Sequence, residues 1–330
     1  LHSTSRRQRQ MCIRDRIWAE EMEKGTFGMD TVITATARAN AMDGSVIWLN
    51  VGEEMSAYDM IRSVVIASAN DACVAVCEYI AGTEEMFVER MNKRAQELGM
   101  SDTHYDNCVG FDSDTHYTSA YDTALLSAAV SEYDCYNEFF ATRLDYVREG
   151  ERQTQLLNTN KLMQRYDGII GGKTGTTDKA GCCLAVWAKR GNMKLCAVAL
   201  GCKESEQRFT ACTDLLNYGF SGFELYRTAV ESDVLTPVTV TEGLEKQADV
   251  RVKRLNTIVI PKGSSKRIEY THTVVDSLSA PVQYGEKVGE VRASLDGEEI
   301  FYSDIVTTGE VGELNFFSSL LIIIRRLFSM

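Results

Sequence analysis

Gly172-Lys173-Thr174-Gly175-Thr176-Thr177 follows the apolar run Gly168-Ile169-Ile170-Gly171, where a strand is expected to begin. A cation, a hydroxyl and a backbone free of side chain thus fall on consecutive residues. Such a strand can hold a substrate carboxylate and offer a backbone N–H to a developing oxyanion. Lys173-Thr174-Gly175 is weak by itself, because three common residues recur by chance. Roughly a hundred residues upstream lies Ser68-Ala69-Asn70, which adds a second hydroxyl and an amide with both donor and acceptor atoms. Taken singly, Ser68 would read as a helix N-cap, Lys173 as a solvated strand-end lysine and Arg208 as a surface helix residue.

The elements that must position these residues come in two textures. Trp18 to Lys24 reads as a helix stopped by Gly25, and Thr31 to Thr34 as a short strand. Ser56 can cap a helix whose apolar residues Met60, Ile61, Val64 and Val65 recur at helical spacing, leading directly to Ser68. Further helices are expected from Asn70 to Gly82 and from Thr83 to Gly99, the latter glycine in the C′ position. Thr103 to Asp112 reads as a polar loop, and Ser119 opens a helix over 120–130. Beyond Arg143 the pattern switches to strands at 143–148, 154–158, 168–174, 182–189 and 193–200, then to an amphipathic helix from Glu204 to Tyr218 that ends at Gly219. Helices, then strands, then a terminal helix indicate an α+β domain with a mostly antiparallel sheet. After Phe223, period-two runs at 238–241, 250–252, 257–260 and 268–271, with turns at Pro261-Lys262-Gly263 and Asp296-Gly297, indicate a separate all-β module.

The chain of 330 residues has 44% hydrophobic content, 25% charged residues and a formal net charge of -12. It is long enough for a full core and two domains. Excess acid argues against nucleic acid as a partner, since phosphate binding needs clustered Lys and Arg. Ten cysteines contain no Cys-x-x-Cys pair, so they read as buried thiols, with a disulfide between two of them left open. His104, Cys108 and His116 lack a fourth ligand in a compact pattern and read as loop residues, not a metal site.

Both ends depart from the rest. Residues 1–16 are basic, have no apolar signal region, and resemble translated sequencing-adapter read-through; they are expected to be non-native, the alternative being a basic arm for an anionic surface. Phe316 to Phe328 is apolar and closes with Arg325-Arg326, too short to cross a bilayer but suited to an interfacial anchor or a packed helix.

Residues 17 to about 310 resemble a low-molecular-mass penicillin-binding protein, a serine-type D-alanyl-D-alanine carboxypeptidase. The matching residues, in order, are Ser68-Ala69-Asn70-Asp71-Ala72, Glu97-Leu98-Gly99-Met100 and Thr103-His104-Tyr105. Asn107-x-x-Gly110-Phe111-Asp112, His116 to Asp122 and Lys173 to Gly181 follow. In the β-rich tail, Ala280-Pro281-Val282 and Gly285 to Gly289 also match.

The resemblance implies a serine β-lactamase/DD-peptidase-like domain over 17–222, with helices flanking an antiparallel sheet. A β-rich domain over 223–312 and a membrane-associating tail over 313–330 would follow. It implies removal of the terminal D-alanine of peptidoglycan stem peptides through an acyl-enzyme, without a cofactor. The chain would work outside the cell, at the outer face of the cytoplasmic membrane. Ser68 would relay a proton to the leaving group, and Asn70 would orient the substrate amide and the lysine of a Ser-x-x-Lys motif. Lys173 would keep that lysine neutral and draw in the substrate carboxylate. Thr174 and Arg208 would bind the carboxylate, Gly175 would admit the substrate close to the strand, and the Thr176 N–H would form half of the oxyanion hole.

One part of the pattern is missing. No lysine in the chain has a serine three residues before it. The family places Ser-x-x-Lys just ahead of the helix near Ile17, where the foreign-looking segment ends. The chain is therefore expected to be truncated and inactive, β-lactams acylating only a parent that carries the motif. A class A β-lactamase would need a Glu-x-x-Leu-Asn loop, which does not occur; a non-catalytic peptidoglycan-binding relative is the other alternative.

Overall fold

The computed structural model describes residues 9–229 and 235–316, with side chains from residue 13 onward, those of 134, 135 and 137 excepted. Most of the foreign-looking segment's side chains, and the apolar tail from Phe317, lie outside the described residues. The chain divides into two compact units at Phe220/Ser221.

The first unit begins with α1 (Arg9–Glu23), β1 (Val32–Thr34), α2 (Ala37–Asn40) and β2 (Glu54–Ser56). Helices α3 (Ala57–Ala67), α4 (Asn70–Ala81), α5 (Glu84–Glu97), α6 (Ala120–Val130) and α7 (Asp134–Ala141) follow. Then come the hairpin β3 (Leu144–Val147) and β4 (Thr154–Leu157), α8 (Leu162–Arg165), and the strands β5 (Ile169–Thr177), β6 (Gly181–Arg190) and β7 (Met193–Cys202). Helix α9 (Ser205–Gly222) closes the unit and ends just past the division.

Local chemistry accounts for the helix ends. Ser56 accepts from Asp59 N, Thr83 from Met86 N and Ser119 from Asp122 N, each satisfying an otherwise orphaned N–H of a first turn. Gly99, at φ +74, follows the α5 cap in the left-handed region that glycine enters cheaply. On α3, Met60, Ile61, Val64 and Val65 are all fully buried, as their spacing requires.

Strands β5, β6 and β7 form an antiparallel sheet in that order. Its two faces are used differently. Leu184, Val186 and Ala188 of β6 pack with Phe209, Cys212 and Leu216 of α9. Trp187, pointing the other way, joins the main helical core and meets the Phe140 ring edge-on at 4.8 Å. The alternation is the period-two rule applied to a strand buried on both faces.

The second unit contains β8 (Phe223–Arg227), β9 (Val238–Thr241), β10 (Gln247–Ala248), β11 (Val250–Val252) and β12 (Thr257–Pro261). It continues with β13 (Ile268–Val274), β14 (Ser277–Ser279), β15 (Lys287–Leu295) and β16 (Glu298–Thr307). Its sheets run β10-β9-β14, β11-β16-β15-β13 and β12-β8. Asp296 (φ +53) and Gly297 (φ +87) form the two-residue turn between β15 and β16, the Asp-Gly chemistry that such a hairpin favours. Val238, Val291, Phe301 and Ile305 supply its core.

Besides short elements that the sequence does not announce (α2, β2 and α8), three departures from the sequence expectation have a physical reason. Helix α1 starts at Arg9, not near Ile17, because Ile13 and Ile17 lie one turn apart and are both buried beside Trp18. Helix α7 has no side-chain cap at Tyr133, so nothing in the sequence marks its start. Helix α9 passes through Gly219. A Cβ there would come within 2.5 Å of Leu195 Cδ1, so this glycine serves close helix–sheet packing and does not end the helix.

Gly171 is the tightest such point in the sheet: a Cβ would lie 2.2–2.6 Å from three ring atoms of Trp187. That ring is fully buried and held by Phe140, so it has nowhere to go. Gly171→Ala should destabilise the chain by about 1–3 kcal/mol in urea unfolding, in the range typical of overpacked cores. An unchanged midpoint would show that the sheet relaxes freely here.

Candidate active site

Helix α3 stops at Ser68, whose backbone is left-handed (φ 63, ψ 34). A non-glycine residue held there carries roughly 1–2 kcal/mol of local strain. Two residues later α4 begins. Across from this turn runs β5, and Lys173 Nζ donates to Ser68 Oγ at 2.5 Å. Lys173 is only 1% exposed, so its ammonium depends on partners inside the protein. Beside it, Gly172 lets β5 lie close against Asn160 and β6: a Cβ would meet Asn160 Nδ2 at 2.8 Å and the Ala185 carbonyl oxygen at 2.9 Å.

A groove of about 150 Å³ opens beside this contact, lined by Ser45, Ser68, Thr159, Thr174, Gly175, Thr176 and Arg208. Of the residues singled out in the sequence, Ser68, Thr174, Gly175, Thr176 and Arg208 thus share one wall-to-wall space. Lys173 contacts Ser68 from within the fold. Asn70 is not among the lining residues. It is 3% exposed, its side-chain Nδ2 donates to the Asp43 carbonyl at 2.7 Å, and its backbone N–H donates to the Ser45 carbonyl at 2.7 Å. Its observed contacts therefore hold the segment that brings Ser45 to the groove.

Arg208 is 6% exposed and braces the strands. Its Nη1 donates to the Gly175 carbonyl (3.1 Å), Thr176 Oγ1 (3.1 Å) and the Cys183 carbonyl (3.2 Å), and its Nη2 to Ser205 Oγ (3.0 Å). Thr174 and Thr159 hydroxyls are hydrogen-bonded to each other across the groove. Ser45 and Thr159 had not been singled out: each comes from an irregular segment, and no motif or periodicity marks it.

Asp71 is the clamp under the site. Its carboxylate accepts from Ile47 N (3.1 and 3.0 Å), Leu49 N (3.0 Å) and Ala72 N (2.9 Å), all buried. This ties the start of α4 to the 43–49 segment. The loop after α5 is fixed to the far end of β5 by Thr177 Oγ1 donating to Asp112 and Lys179 Nζ to Asp114, each at 3.0 Å. His104, Cys108 and His116 do not converge. His104 pairs with Asp106, His116 Nδ1 accepts from Asp106 N, and Cys108 packs against Cys73.

Similarity to known proteins decides the family. The family described as D-alanyl-D-alanine carboxypeptidase matches residues 16–204, and that described as penicillin-binding protein 5, C-terminal domain, matches residues 223–313. The chain belongs to the D-alanyl-D-alanine carboxypeptidases. It is 34% identical to D-alanyl-D-alanine carboxypeptidase DacF of Bacillus subtilis over 303 residues, covering 91% of this chain and 78% of the relative. It is 31% identical to DacA of Escherichia coli over 322 residues, with coverage of 94% and 78%. Among solved structures, penicillin binding protein 5 from Haemophilus influenzae superposes with a TM-score of 0.81 at 26% identity, covering 93% of this chain and 90% of that one. The family is one of serine-type hydrolases, and the two-part α+β and all-β architecture is its own.

Two buried carboxylates of the first unit can be tested directly. Asp71→Ala strands three buried backbone donors and should cost about 3 kcal/mol or more in urea unfolding. Asp15, buried in α1, behaves oppositely to most carboxylates: burial pushes its carboxyl up to about 6, against the opposing pull of Arg14. A carboxyl that holds its proton more tightly when folded stabilises below its unfolded value and loses that contribution as pH rises through about 6. Between about pH 4 and 7, Asp15→Asn should therefore gain on the wild type by roughly 3 kcal/mol in unfolding free energy. A pH-independent difference between the two would contradict the burial of a charged Asp15.

Proposed function

We propose that the groove beside Ser68 and Lys173 takes the D-alanyl-D-alanine end of a peptidoglycan stem peptide, and that this chain binds it without forming an acyl-enzyme. The carrying observation is the 2.5 Å contact between Lys173 Nζ and Ser68 Oγ at the edge of a groove that also presents Thr174, Thr176 and Arg208. A cation, two hydroxyls and a guanidinium around one small space suit a terminal carboxylate. In this reading Thr174 donates to the carboxylate, Arg208 supplies positive charge beside it, and Gly175 lets the peptide lie against β5. The Thr176 N–H faces the carbonyl that would become an oxyanion in a chain with a nucleophile, where Ser68 would pass the proton, and Asn70 keeps the 43–45 segment in place beside the groove.

Peptide acyl transfer also requires a nucleophile with its own base. The family reading assigns these to Ser-x-x-Lys, and no such spacing occurs in this chain. Loss of a serine nucleophile lowers turnover on the order of a millionfold. The proposal extends to location: the work is done outside the cytoplasmic membrane, with the apolar 317–328 stretch and Arg325-Arg326 resting at the membrane surface. Among the described residues, no helix is long and apolar enough to cross a membrane.

Incubation with a fluorescent penicillin, followed by intact-mass measurement, should give no covalent adduct, and a diacyl-D-Ala-D-Ala substrate should release no D-alanine above background. A stoichiometric adduct would overturn the inactivity. The same dipeptide should bind reversibly, and Thr174→Val should weaken it by about 10–150-fold, the value of one hydrogen bond to a charged group. Equal affinity for wild type and Thr174→Val would move the carboxylate out of this groove.

A further inference from the structure

The cysteines are not all alike. Cys196 and Cys212 are set among apolar neighbours, and burial pushes each thiol up to about 12, as expected of small hydrophobic filler. Cys73, Cys77 and Cys108 are different. The first two lie one turn apart on α4, the third comes from the loop between α5 and α6, and their sulfurs all lie within 4.8 Å of one another. All three are at most 1% exposed.

One edge of the cluster already has the spacing of ligands around a common centre. Cys73 Sγ and Cys108 Sγ are 3.7 Å apart. Metal–sulfur bonds of about 2.3 Å in a tetrahedron put neighbouring sulfurs about 3.8 Å apart. An oxygen donor already touches the cluster: Glu84 Oε1 is 3.5 Å from Cys108 Sγ and accepts from Cys108 N at 3.2 Å. Charge is also provided for. Three thiolates and the Glu84 carboxylate around a divalent cation leave two net negative charges, faced by Arg14 Nη1, 2.9 Å from Cys73 Sγ, and by Arg38 Nη2, 2.9 Å from Glu84 Oε2. Arg14 Nε donates to Asp15 Oδ1 at 3.2 Å and Nη1 also reaches the Cys108 carbonyl at 3.4 Å, but a reduced thiol is a weak acceptor and Nη2 has no hydrogen-bond partner beyond its ion pair with Asp15.

We propose that Cys73, Cys77 and Cys108 form a thiolate site for one thiophilic divalent d10 cation of the zinc class, with Glu84 the oxygen donor beside its fourth position. Each thiol gives up its proton to solvent as the metal binds, and no oxidation is involved. The cation ties α4, which begins at Asn70, to the loop that follows α5. It acts on the architecture behind the groove and not on substrate. Because the three sulfurs are enclosed, the metal enters as the chain folds.

The test is refolding of the full chain from denaturant with Cd²⁺ as the probe, followed by gel filtration, metal analysis and near-ultraviolet absorption. One Cd²⁺ per chain with a sulfur-to-cadmium charge-transfer band is expected. Cys73→Ser/Cys108→Ser should lose the metal and the band, while Cys196→Ser/Cys212→Ser should keep both. X-ray absorption on the loaded wild type needs no variant and should show three sulfur neighbours. A shell dominated by oxygen and nitrogen, metal that survives in Cys73→Ser/Cys108→Ser, or no retained Cd²⁺ would each overturn the site. So would a disulfide joining Cys73 to Cys108, seen as a peptide cross-link and a mass short by two hydrogens.

Discussion

An ammonium that is almost wholly out of water has to find its partners in the protein, and for Lys173 one of them is the hydroxyl of Ser68. Much of the first unit can be understood as what that contact requires. The serine must stand at the break between two helices, so α3 ends in a left-handed residue and α4 starts at once. The strand that carries the lysine must run close against its neighbours, so Gly171 and Gly172 occupy positions where a methyl group would meet Trp187, Asn160 or backbone. The start of α4 must not drift, and Asp71 fixes it with bonds from three backbone donors. A shift of an ångström at any of these points would leave the cation buried without its hydroxyl, a state worse than having no polar pair at all.

Arg208 shows how one side chain can serve both the frame and the groove. Its Nη1 is divided among three acceptors, all between 3.1 and 3.2 Å, on β5 and β6. Shared bonds of that length are individually weak, and they orient the guanidinium more than they saturate it. A carboxylate arriving in the groove would compete for the same donors as Thr176 Oγ1. In the proposed reading, ligand binding and strand bracing would be coupled through this single group, while the Phe209 ring, 5.0 Å from the guanidinium carbon, limits how far it can turn.

What the sequence disclosed follows from the range of the forces involved. Caps at Ser56, Thr83 and Ser119, the stop at Gly99 and the Asp296-Gly297 turn are set by bonds or dihedrals within four residues, and a linear reading finds them. Gly219 has the same local signature as a helix end, but its reason lies on Leu195, in another element, and the reading failed there. The motif residues of β5 and the Ser68 turn were visible because their types are unusual in that order. Ser45 and Thr159 were not, since a serine or threonine in a loop carries no mark of what it will face. Asn70 was visible for its type, yet its contacts with Asp43 and Ser45 depend on a segment no periodicity describes. Cys108 likewise reads as a lone loop thiol until the fold brings it to α4.

Helix α1 brings these threads into conflict. Its apolar residues Ile13, Ile17 and Trp18 belong to the main core, and burying them stabilises by about 1.5–3 kcal/mol each. The same register drives Arg14 and Asp15 inside, where the pair is 1% exposed and Arg14 Nη2 and Asp15 Oδ2 lack hydrogen-bond partners. Attraction between two such ions recovers the loss of hydration only when every remaining donor and acceptor is met. Here that condition fails on both side chains, so the helix is held by its hydrophobic face against the preference of its charged one. The guanidinium then depends on whatever else is within reach, and the nearest acceptor outside its own helix is the sulfur of Cys73 at 2.9 Å. A residue read in the sequence as part of a foreign basic segment thus ends up setting the electrostatics of the helix that begins at Asn70.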